Sequence, residues 1–435
     1  MDSVRGLGWS PGVRPGAPGS SSTRLELFYD LVFAFAFIQV TTLTANTPTV
    51  RGLVQCLAVL ALLWWAWTGF AVIGNLVRTD QGVVPFVAFA TMAVVFVFTI
   101  AMPHAFREGP TGLSGPLVFA VCYFLTRAVQ VALLGWLTRV NRELRRRFLL
   151  AIGRGLPVGA LILAAALLPQ FLPGEQERVW LRLGLWIAAL TVEYGIALAL
   201  RGGGWLVLSA GHWAERHALI VLVALGETII GLGLGAGFAT GRPLSWQVIV
   251  GALLAVAVLA AQWWAYFDTL ALAMEQTLHR TRDQRARAVL ARDAYTYLHL
   301  LLVAGPILFA LGAKGKAGGH AESSGLAGEL PHFELVAVFG GVAIYFLGLA
   351  ALGWRVLRML RWPTMAAVTP LTLLALVVPR LPGLATLGLL TVVVVAAITV
   401  QTLVDAPLRQ RVREVALAEQ LAAEAEQSNW RRRHL

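Results

Sequence analysis

Twelve long apolar runs constrain this chain more than any other feature of its sequence. A helix that crosses a bilayer needs about 20 mostly apolar residues, because each residue adds about 1.5 Å toward a hydrocarbon core of ~30 Å. Hydrophobic residues make up 58% of the chain and charged residues only 13%, which is too little charge for an ordinary soluble surface. The sequence therefore predicts an all-α, polytopic transmembrane helical bundle of about twelve spans. The runs lie near residues 26–45, 52–74, 83–102, 115–137, 148–169, 179–200, 215–238, 246–272, 293–312, 333–354, 364–378 and 383–404.

The positive charge of the chain is placed as in a membrane protein. A net charge of +12 is compatible with a nucleic-acid partner, but the arginines form short clusters between the apolar runs, which indicates a membrane protein. With the N-terminus in the cytoplasm, 26 of the 35 basic residues fall on the cytoplasmic side and eight on the opposite side. This bias predicts that both termini are cytoplasmic. The predicted partner is thus the lipid bilayer, and nucleic acid is not expected.

Three sequence features recur six spans apart and predict an internal repeat. Because six is even, both halves would enter the membrane in the same direction, as two parallel six-helix repeats. The expected division is a disordered cytoplasmic tail at 1–22, membrane halves at 23–204 and 205–407, and a basic helical cytoplasmic tail at 408–435. The recurring features are the aromatic stretches 64–67 and 263–266, the stretches 133–136 and 351–354 that end in Gly-Trp, and the span-ending Pro169 and Pro379.

Carboxylates inside the predicted spans are the first candidates for function, because an intramembrane charge costs about 2.5–3.5 kcal/mol on insertion scales. Glu26 and Asp30 lie four residues apart and so share one face of the first helix, with Arg24 as a possible neutralising cation. Glu26 could instead anchor the helix by complementing its dipole. Asp30, Glu227 and Asp268 are the predicted proton-coupling or acid/base residues.

Glu227 stands near the middle of the seventh span, among glycines that permit close helix packing. Arg216 lies eleven residues earlier on the same face, at a distance of ~16 Å, so the two cannot pair directly. Arg127 and Glu193 are expected to neutralise one another or one of the other acids.

Aromatic residues beside these charges are the predicted binding residues. Trp264 and Asp268 are four residues apart, a spacing at which an aromatic face and a carboxylate together hold a cation. Arg292, Tyr295 and His299 are expected on one face of the ninth span. Trp64, Trp65, Trp263 and Trp264 are the expected walls of an aromatic cavity. The full set of predicted binding residues is Glu26, Trp64, Trp65, Arg216, Trp263, Trp264, Tyr266, Arg292, Tyr295 and His299.

Motifs for nucleotide, zinc or acyl chemistry do not occur in the sequence. It contains no Walker glycine loop, no H-E-x-x-H pair and no G-x-S-x-G elbow. We therefore expect no cofactor and no metal, and ATP-driven transport by this chain alone is disfavoured.

Five motifs together resemble the low temperature requirement protein A (LtrA) family of bacterial membrane proteins. They are ELFYDLVFAFA at 26–36, ERH at 215–217, GE at 226–227, WWAYFD at 263–268, and YTYLH at 295–299 followed by VAG at 303–305. The resemblance spans both halves and implies a multi-pass protein of the bacterial inner membrane. The family name reports a cold-growth phenotype and implies no reaction.

A second resemblance concerns the first helix alone. Arg24, Phe28 and Asp30 match the spacing of the first-helix signature of an endolysosomal potassium-channel family that also has two six-helix repeats. That family usually has Ser where this chain has Tyr29, and ERH at 215–217 does not supply the second copy.

Four functions are compatible with these features. The leading hypothesis is a transporter or permease for a small solute or ion, possibly proton-coupled through the intramembrane carboxylates. The alternatives are an intramembrane enzyme acting by acid/base chemistry on a lipid-like or polyprenyl substrate, a cation channel, and a scaffold. The sequence decides neither the substrate nor the oligomeric state, and it leaves open whether the protein is an enzyme.

Overall fold

The computed structural model describes residues 21–45, 48–107, 112–199, 207–235, 245–313, 331–377 and 381–434. Nearly all of these residues are helical and none forms an extended strand, which confirms the all-α, membrane-type architecture. Most of the predicted tail at 1–22 and the predicted boundary at 204/205 lie outside the described residues.

The described helices follow the predicted runs closely. They are α1 (Arg24–Ala45), α2 (Val50–Leu76), α3 (Val84–Ala101), α4 (Gly115–Leu137), α5 (Arg142–Ile152), α6 (Gly155–Leu167), α7 (Glu175–Ala199), α8 (Ala210–Gly235), α9 (Trp246–Phe267), α10 (Leu270–Arg280), α11 (Gln284–Leu290), α12 (His299–Ala313), α13 (His332–Leu352), α14 (Trp362–Val377), α15 (Gly383–Val404) and α16 (Ala406–His434). Two π-helical segments, Ala291–Leu298 and Gly353–Leu357, continue into or out of these helices.

Ten helical stretches among the described residues are long and apolar enough to cross a membrane. Two shorter apolar helices, Gly155–Phe171 and Trp362–Leu376, occupy the positions of the predicted fifth and eleventh spans. The predicted start of the fifth span at residue 148 was wrong. Residues 142–152 form the separate helix α5, which the Asn141 side chain caps by accepting a hydrogen bond from the Leu144 N–H.

Neighbouring helices pack in an order that recurs along the chain. In the first part, α3 packs on α4, α4 on α6, and α6 on α7. Later, α12 packs on α13, α13 on α14, and α14 on α15. The two parts meet where α1 packs against α8 and α12, so the N-terminal helix lies beside the middle of the sequence.

Glycines bring α12 and α13 into close contact. A Cβ at Gly305 would lie 2.8 Å from the Gly341 carbonyl oxygen, and a Cβ at Gly341 would lie 2.6 Å from the Gly305 carbonyl oxygen. Neither position tolerates a side chain without movement of the backbone opposite, so two small residues set the distance between these helices.

The C-terminal helix α16 is attached to the helical bundle by polar contacts. The Asp268 carboxylate receives hydrogen bonds from Arg413 and from the Thr269 hydroxyl, and Arg409 lies 3.7 Å from it. The Gln276 amide donates to the Val412 carbonyl at 2.9 Å. The first turns of α16 are thereby held to the end of α9 and to the middle of α10.

Candidate functional site

A buried ion pair joins α1 to α8. Arg216 donates from Nη1 to Asp30 Oδ2 at 2.7 Å and from Nη2 to Asp30 Oδ1 at 2.9 Å. Asp30 is 2% exposed and Arg216 is 1% exposed. Because a bidentate guanidinium satisfies both carboxylate oxygens, this geometry offsets much of the cost of removing two charges from water.

Trp67 of α2 completes the surroundings of this pair. Its indole Nε1 donates to Asp30 Oδ1 at 2.9 Å, and its ring lies 5.6 Å from the Arg216 guanidinium carbon. Asp30 therefore accepts three hydrogen bonds from two helices. The sequence-based partner of Asp30 was wrong, because Arg216 and not Arg24 neutralises this carboxylate.

One turn nearer the start of α1, a second acid pairs with a second base. Glu26 lies 3.1 Å (Oε2) and 3.2 Å (Oε1) from His212 Nε2. The Asn75 side chain donates to the Ser209 carbonyl and accepts from the Leu208 N–H, and its amide nitrogen faces His212 Nδ1 at 3.5 Å. With Nδ1 facing an N–H donor, Nε2 carries the proton that is donated to Glu26.

Glu26 also serves the start of its own helix. Its carboxylate accepts from the Thr23 N–H at 2.7 Å, while the Glu26 N–H donates to the Thr23 hydroxyl at 3.2 Å. This reciprocal arrangement is a capping box. A Cβ at Gly74 would collide with the Glu26 carboxylate, so the glycine provides the space that Glu26 occupies. Both interpretations of Glu26, helix anchor and member of a charge cluster, apply.

The Glu26–His212 and Asp30–Arg216 pairs have the same sequence separation. Glu26 and His212 are 186 residues apart, and so are Asp30 and Arg216. Equal separation at positions four residues apart means that α1 and α8 run in the same direction and in register where they touch.

His217 lies beyond the Asp30–Arg216 pair and is enclosed by aromatic rings. The ring centroids of Trp67, Trp213 and Tyr295 lie 5.0, 4.7 and 5.2 Å from its own. Nδ1 of His217 faces the Trp213 carbonyl at 2.8 Å and must donate there. Nε2 is buried and has no hydrogen-bond partner among the described residues.

His299 and Tyr266 continue this series of polar side chains. The ring centroids of His217 and His299 are 5.5 Å apart. His299 Nδ1 donates to the Ala294 carbonyl at 2.8 Å, so Nε2 accepts from the Tyr266 hydroxyl at 2.7 Å. The π-helical segment Ala291–Leu298 places the Ala294 carbonyl five residues before His299.

That π-helical segment also separates residues that the sequence placed on one face. Tyr295 stacks on His299 with centroids 5.0 Å apart, next to His217. Arg292 instead donates to Asp293 at 2.5 Å and to the Ala197 carbonyl at the end of α7. The expected common face of Arg292, Tyr295 and His299 was therefore wrong, because a π-helix has more residues per turn than an α-helix.

The four tryptophans do not line one cavity. Trp64 and Trp65 are 1% and 3% exposed, whereas Trp263 and Trp264 are each 41% exposed on the outer surface. The Trp264 indole donates to the Thr402 hydroxyl of α15 at 3.2 Å. The predicted cavity was wrong, because Trp263 and Trp264 face outward whereas Trp64 and Trp65 face inward.

The other predicted acids occupy different places. Asp268 accepts a hydrogen bond from Arg413 of α16, whereas the Trp264 indole donates to Thr402. Glu227 is 1% exposed and lies in α8, three helical turns beyond Arg216. Among the described residues, no group of three or more His, Cys, Asp or Glu side chains could hold a metal ion.

A cleft of about 510 Å³ reaches the Glu26–His212 pair from one end of the bundle. Arg78 donates to both oxygens of Asp80 at its mouth, and this hydrogen bonding lowers the pKa of Asp80. The cleft is lined by Ser21, Ser22, Thr23, Arg24, Leu25, Gly74, Val77, Arg78, Asp80 and His212. Polar groups thus follow one another from the cleft inward: first Glu26 and His212, then Asp30 and Arg216, then His217.

Sequence reasoning missed His212, Trp67 and Trp213. His212 and Arg216 are bases four residues apart, as Glu26 and Asp30 are acids four residues apart. This matched spacing in the first helix of each proposed half was the signal for the pairing. Trp67 and Trp213 carried no comparable signal, since tryptophan is common in membrane helices.

The comparisons with known proteins agree with this architecture. Residues 21–400 match the family described as "Bacterial low temperature requirement A protein (LtrA)". The chain is also similar to an uncharacterized protein of Rhizobium meliloti (strain 1021), with 30% identity over 304 residues, which cover 66% of this chain and 67% of that protein. The family match includes α1, α8 and the two acid–base pairs between them, and the chain belongs to the bacterial low temperature requirement A (LtrA) family.

Proposed function

We propose that this membrane protein is a proton-coupled transporter of a small solute or ion, in which Asp30 is the coupling carboxylate. The observation that supports this most is the buried Asp30–Arg216 pair, which joins α1 to α8 with two hydrogen bonds. Buried carboxylates in membrane helices typically mark ion or proton pathways. Here the carboxylate also links the two proposed halves of the molecule.

The proposal includes two six-helix halves that enter the membrane in the same direction. The recurring packing order and the 186-residue register of α1 and α8 support this arrangement. So does an ion pair at the corresponding place in each half. Arg154, just before α6, pairs with Glu193 of α7, and Arg361, just before α14, pairs with Asp405 at the end of α15. Parallel repeats of this kind carry their sites where the halves meet.

Proton transfer to Asp30 is the proposed switch. A proton on the carboxylate removes its charge, which weakens both hydrogen bonds from Arg216 and lets α1 and α8 move apart. Glu26 and His212 stand between the cleft and Asp30, one helical turn away, and are placed to exchange protons with water in the cleft. Substrate movement would follow as the halves rock about this contact.

Transport is better supported than an intramembrane enzyme. The enzyme hypothesis relied on a cavity built from four tryptophans, and Trp263 and Trp264 lie at the outer surface instead. The aromatic rings around His217 pack at 4.7–5.2 Å between centroids. Such packing stabilises a core and leaves little room for a polyprenyl substrate.

The test is proton flux in liposomes that contain the protein and an internal pH dye. A pH gradient is imposed with the membrane potential clamped, in sodium, potassium or chloride salts. We expect wild-type flux above that of empty liposomes and at least about a tenfold loss in Asp30→Asn, because Asn cannot cycle a proton. Glu414→Gln, on the exposed part of α16, serves as the control and should retain the flux.

Two results would refute this function. One is wild-type flux equal to that of empty liposomes under every salt. The other is full flux in a folded Asp30→Asn variant. In the first case, lipid extract incubated with the protein in detergent and analysed by mass spectrometry tests the enzyme alternative.

We also propose that the protein resides in the bacterial inner membrane with both termini in the cytoplasm. The proposal is supported by the placement of basic residues. Single cysteines at Val140 and Gln170, in a background without Cys56 and Cys122, test it with a membrane-impermeant maleimide on intact inner-membrane spheroplasts. We expect labelling at position 170 and not at 140; the reverse pattern would invert the topology.

A further inference from the structure

A second buried charge cluster lies in the first part of the molecule, apart from the Asp30 site. Arg127 of α4 donates from Nη2 to Glu193 Oε1 at 3.2 Å, as the sequence led us to expect. Arg154 donates from Nε to the same oxygen, also at 3.2 Å. The other carboxylate oxygen faces the Tyr123 hydroxyl at 3.5 Å. Arg127 and Glu193 are fully buried, and Arg154 is 6% exposed.

The positive charges in this cluster outnumber the negative one. Among the described residues, the ion pairs here involve two guanidinium groups and one carboxylate. The tyrosines that surround them are neutral at ordinary pH. Arg154 also lies just before the first turn of α6, where the Leu156 and Val158 N–H groups already donate to the Gly153 and Arg154 carbonyls. A Cβ at Gly155 would collide with the Arg127 guanidinium, so both arginines reach that turn.

Some of the N–H groups in the cluster lack acceptors. Arg127 Nη1 donates to Gln130 Oε1 at 2.7 Å and to the Trp65 carbonyl at 3.4 Å. Arg127 Nε and Arg154 Nη1 are buried and have no hydrogen-bond partner among the described residues. Arg154 lies over the Trp65 ring, 4.9 Å from its centroid. Buried N–H donors without acceptors cost free energy that an anion would recover.

Among the described residues, the ion pair at the corresponding place in the second half has no excess of positive charge. Arg361 pairs with Asp405 at 3.0 Å, one cation with one carboxylate, and both are buried. Asp268 and Asp293 also each pair with two arginines, but Arg355, Arg409 and Arg413 are partly exposed, whereas Arg127 and Arg154 are buried.

We propose that this cluster binds a small monovalent anion, held by Arg154 Nη1 and Arg127 Nε. One negative charge brings the cluster to neutrality and supplies the missing acceptors. Because the donor atoms are enclosed by protein, the anion must be small, either a halide or a one-carbon carboxylate. The inference does not depend on transport and is tested without a membrane gradient.

The experiment is thermal unfolding of the full-length protein in detergent, in sodium salts at equal ionic strength. Chloride, bromide and formate are compared with gluconate, which is too large for the site. We expect the small anions to raise the apparent melting temperature of the wild type by about 3 °C at saturation. A larger effect of halide than of formate identifies an inorganic anion, and the reverse identifies a carboxylate. A wild type with equal melting temperatures in all four salts overturns the proposal.

Two variants that change the charge of the cluster in opposite directions distinguish anion binding at this site from general attraction of anions to the positively charged surface. Arg154→Gln brings the cluster to neutrality and should abolish the anion effect. Glu193→Gln raises the excess charge and should lower the chloride concentration for half-maximal effect about tenfold. Arg139→Gln removes an exposed arginine that also stacks on a tryptophan, Trp136, and should keep the wild-type response. An undiminished effect in Arg154→Gln, or no tightening in a folded Glu193→Gln, overturns the site. If Glu193→Gln does not fold, the proposal is tested by comparing the anion effect on the melting temperature of the wild type with that of Arg154→Gln.

Discussion

At the Asp30–Arg216 pair, removing one charge should reduce the free energy of unfolding more than removing both charges. Asp30→Asn or Arg216→Gln alone leaves an uncompensated buried charge and should reduce the free energy of unfolding by about 3–5 kcal/mol. The double variant removes both charges and should recover part of that loss. The measurement is a double-mutant cycle on unfolding by SDS titration in mixed micelles.

The exposed Arg78–Asp80 pair is the matched control for this cycle. Its side chains are 42% and 39% exposed, and its N···O distance of 2.9 Å resembles that of the buried pair. Surface pairs contribute only about 0–1 kcal/mol, so Asp80→Asn should be nearly neutral. Strictly additive costs at Asp30 and Arg216 would contradict the interaction inferred from the structure.

The sequence predicted some of the residues that form the site, but not the partners with which they pair. The cost of intramembrane charge pointed to Glu26, Asp30 and Arg216, all of which lie in the cluster. Their partners were not predictable from α1 alone, because each partner lies 186 residues away and local spacing favours Arg24. Asp268 also looked like a site residue, and only its contact with Arg413 shows that it holds the C-terminal helix.

At the scale of the elements, Gly340 and Gly341 are adjacent in α13, but the contact with α12 leaves no space for a side chain at Gly341 alone. A Cβ at Gly341 would lie 2.6 Å from both the Gly305 carbonyl oxygen and the Phe309 amide nitrogen, whereas a Cβ at Gly340 meets nothing within 4 Å. Gly341→Ala should therefore cost about 1–3 kcal/mol through overpacking. Gly340→Ala should be neutral or slightly stabilising, since alanine favours helices. Apparent melting temperatures in detergent compare the two, and equal values would contradict the close contact.

The attachment of α16 depends on Asp268. Replacing this residue by Asn removes the charge that holds Arg409 and Arg413. We expect trypsin to cut after these arginines about tenfold faster, because cleavage follows the population of the detached helix. Glu424→Gln, farther along the exposed part of α16, should leave the cleavage rate unchanged. An unchanged rate in Asp268→Asn would show that other contacts hold the helix.

Most element positions were predictable, because a stretch of about 20 apolar residues has few alternatives to a spanning helix. The runs at 115–137 and 383–404 match α4 and α15 at both ends. The fifth span was misjudged because the apolar residues 148–152 continue the arginine-rich helix α5 before the chain turns. The π-helical segment Ala291–Leu298 had no sequence signal, and it changed which side chains share a face.

For the whole molecule, the two proposed halves should associate without a covalent link. Fragments 1–204 and 205–435 would meet through Glu26–His212, Asp30–Arg216 and the packing of α1 on α12. When they are co-expressed with a tag on one fragment, we expect the other to co-purify. Asp30→Asn should reduce its recovery several-fold, while Glu414→Gln should not. Equal recovery with both variants would mean that apolar packing alone joins the halves.

The register of α1 and α8 also determines which helix each of them can pair with. Two copies of the first helix, placed against each other in that register, would set Asp30 against Asp30 and Glu26 against Glu26. Two copies of α8 would oppose Arg216 to Arg216. Like charges at such short range repel strongly in a low-dielectric setting. The acidic helix α1 therefore pairs better with the basic helix α8 than with a second copy of itself.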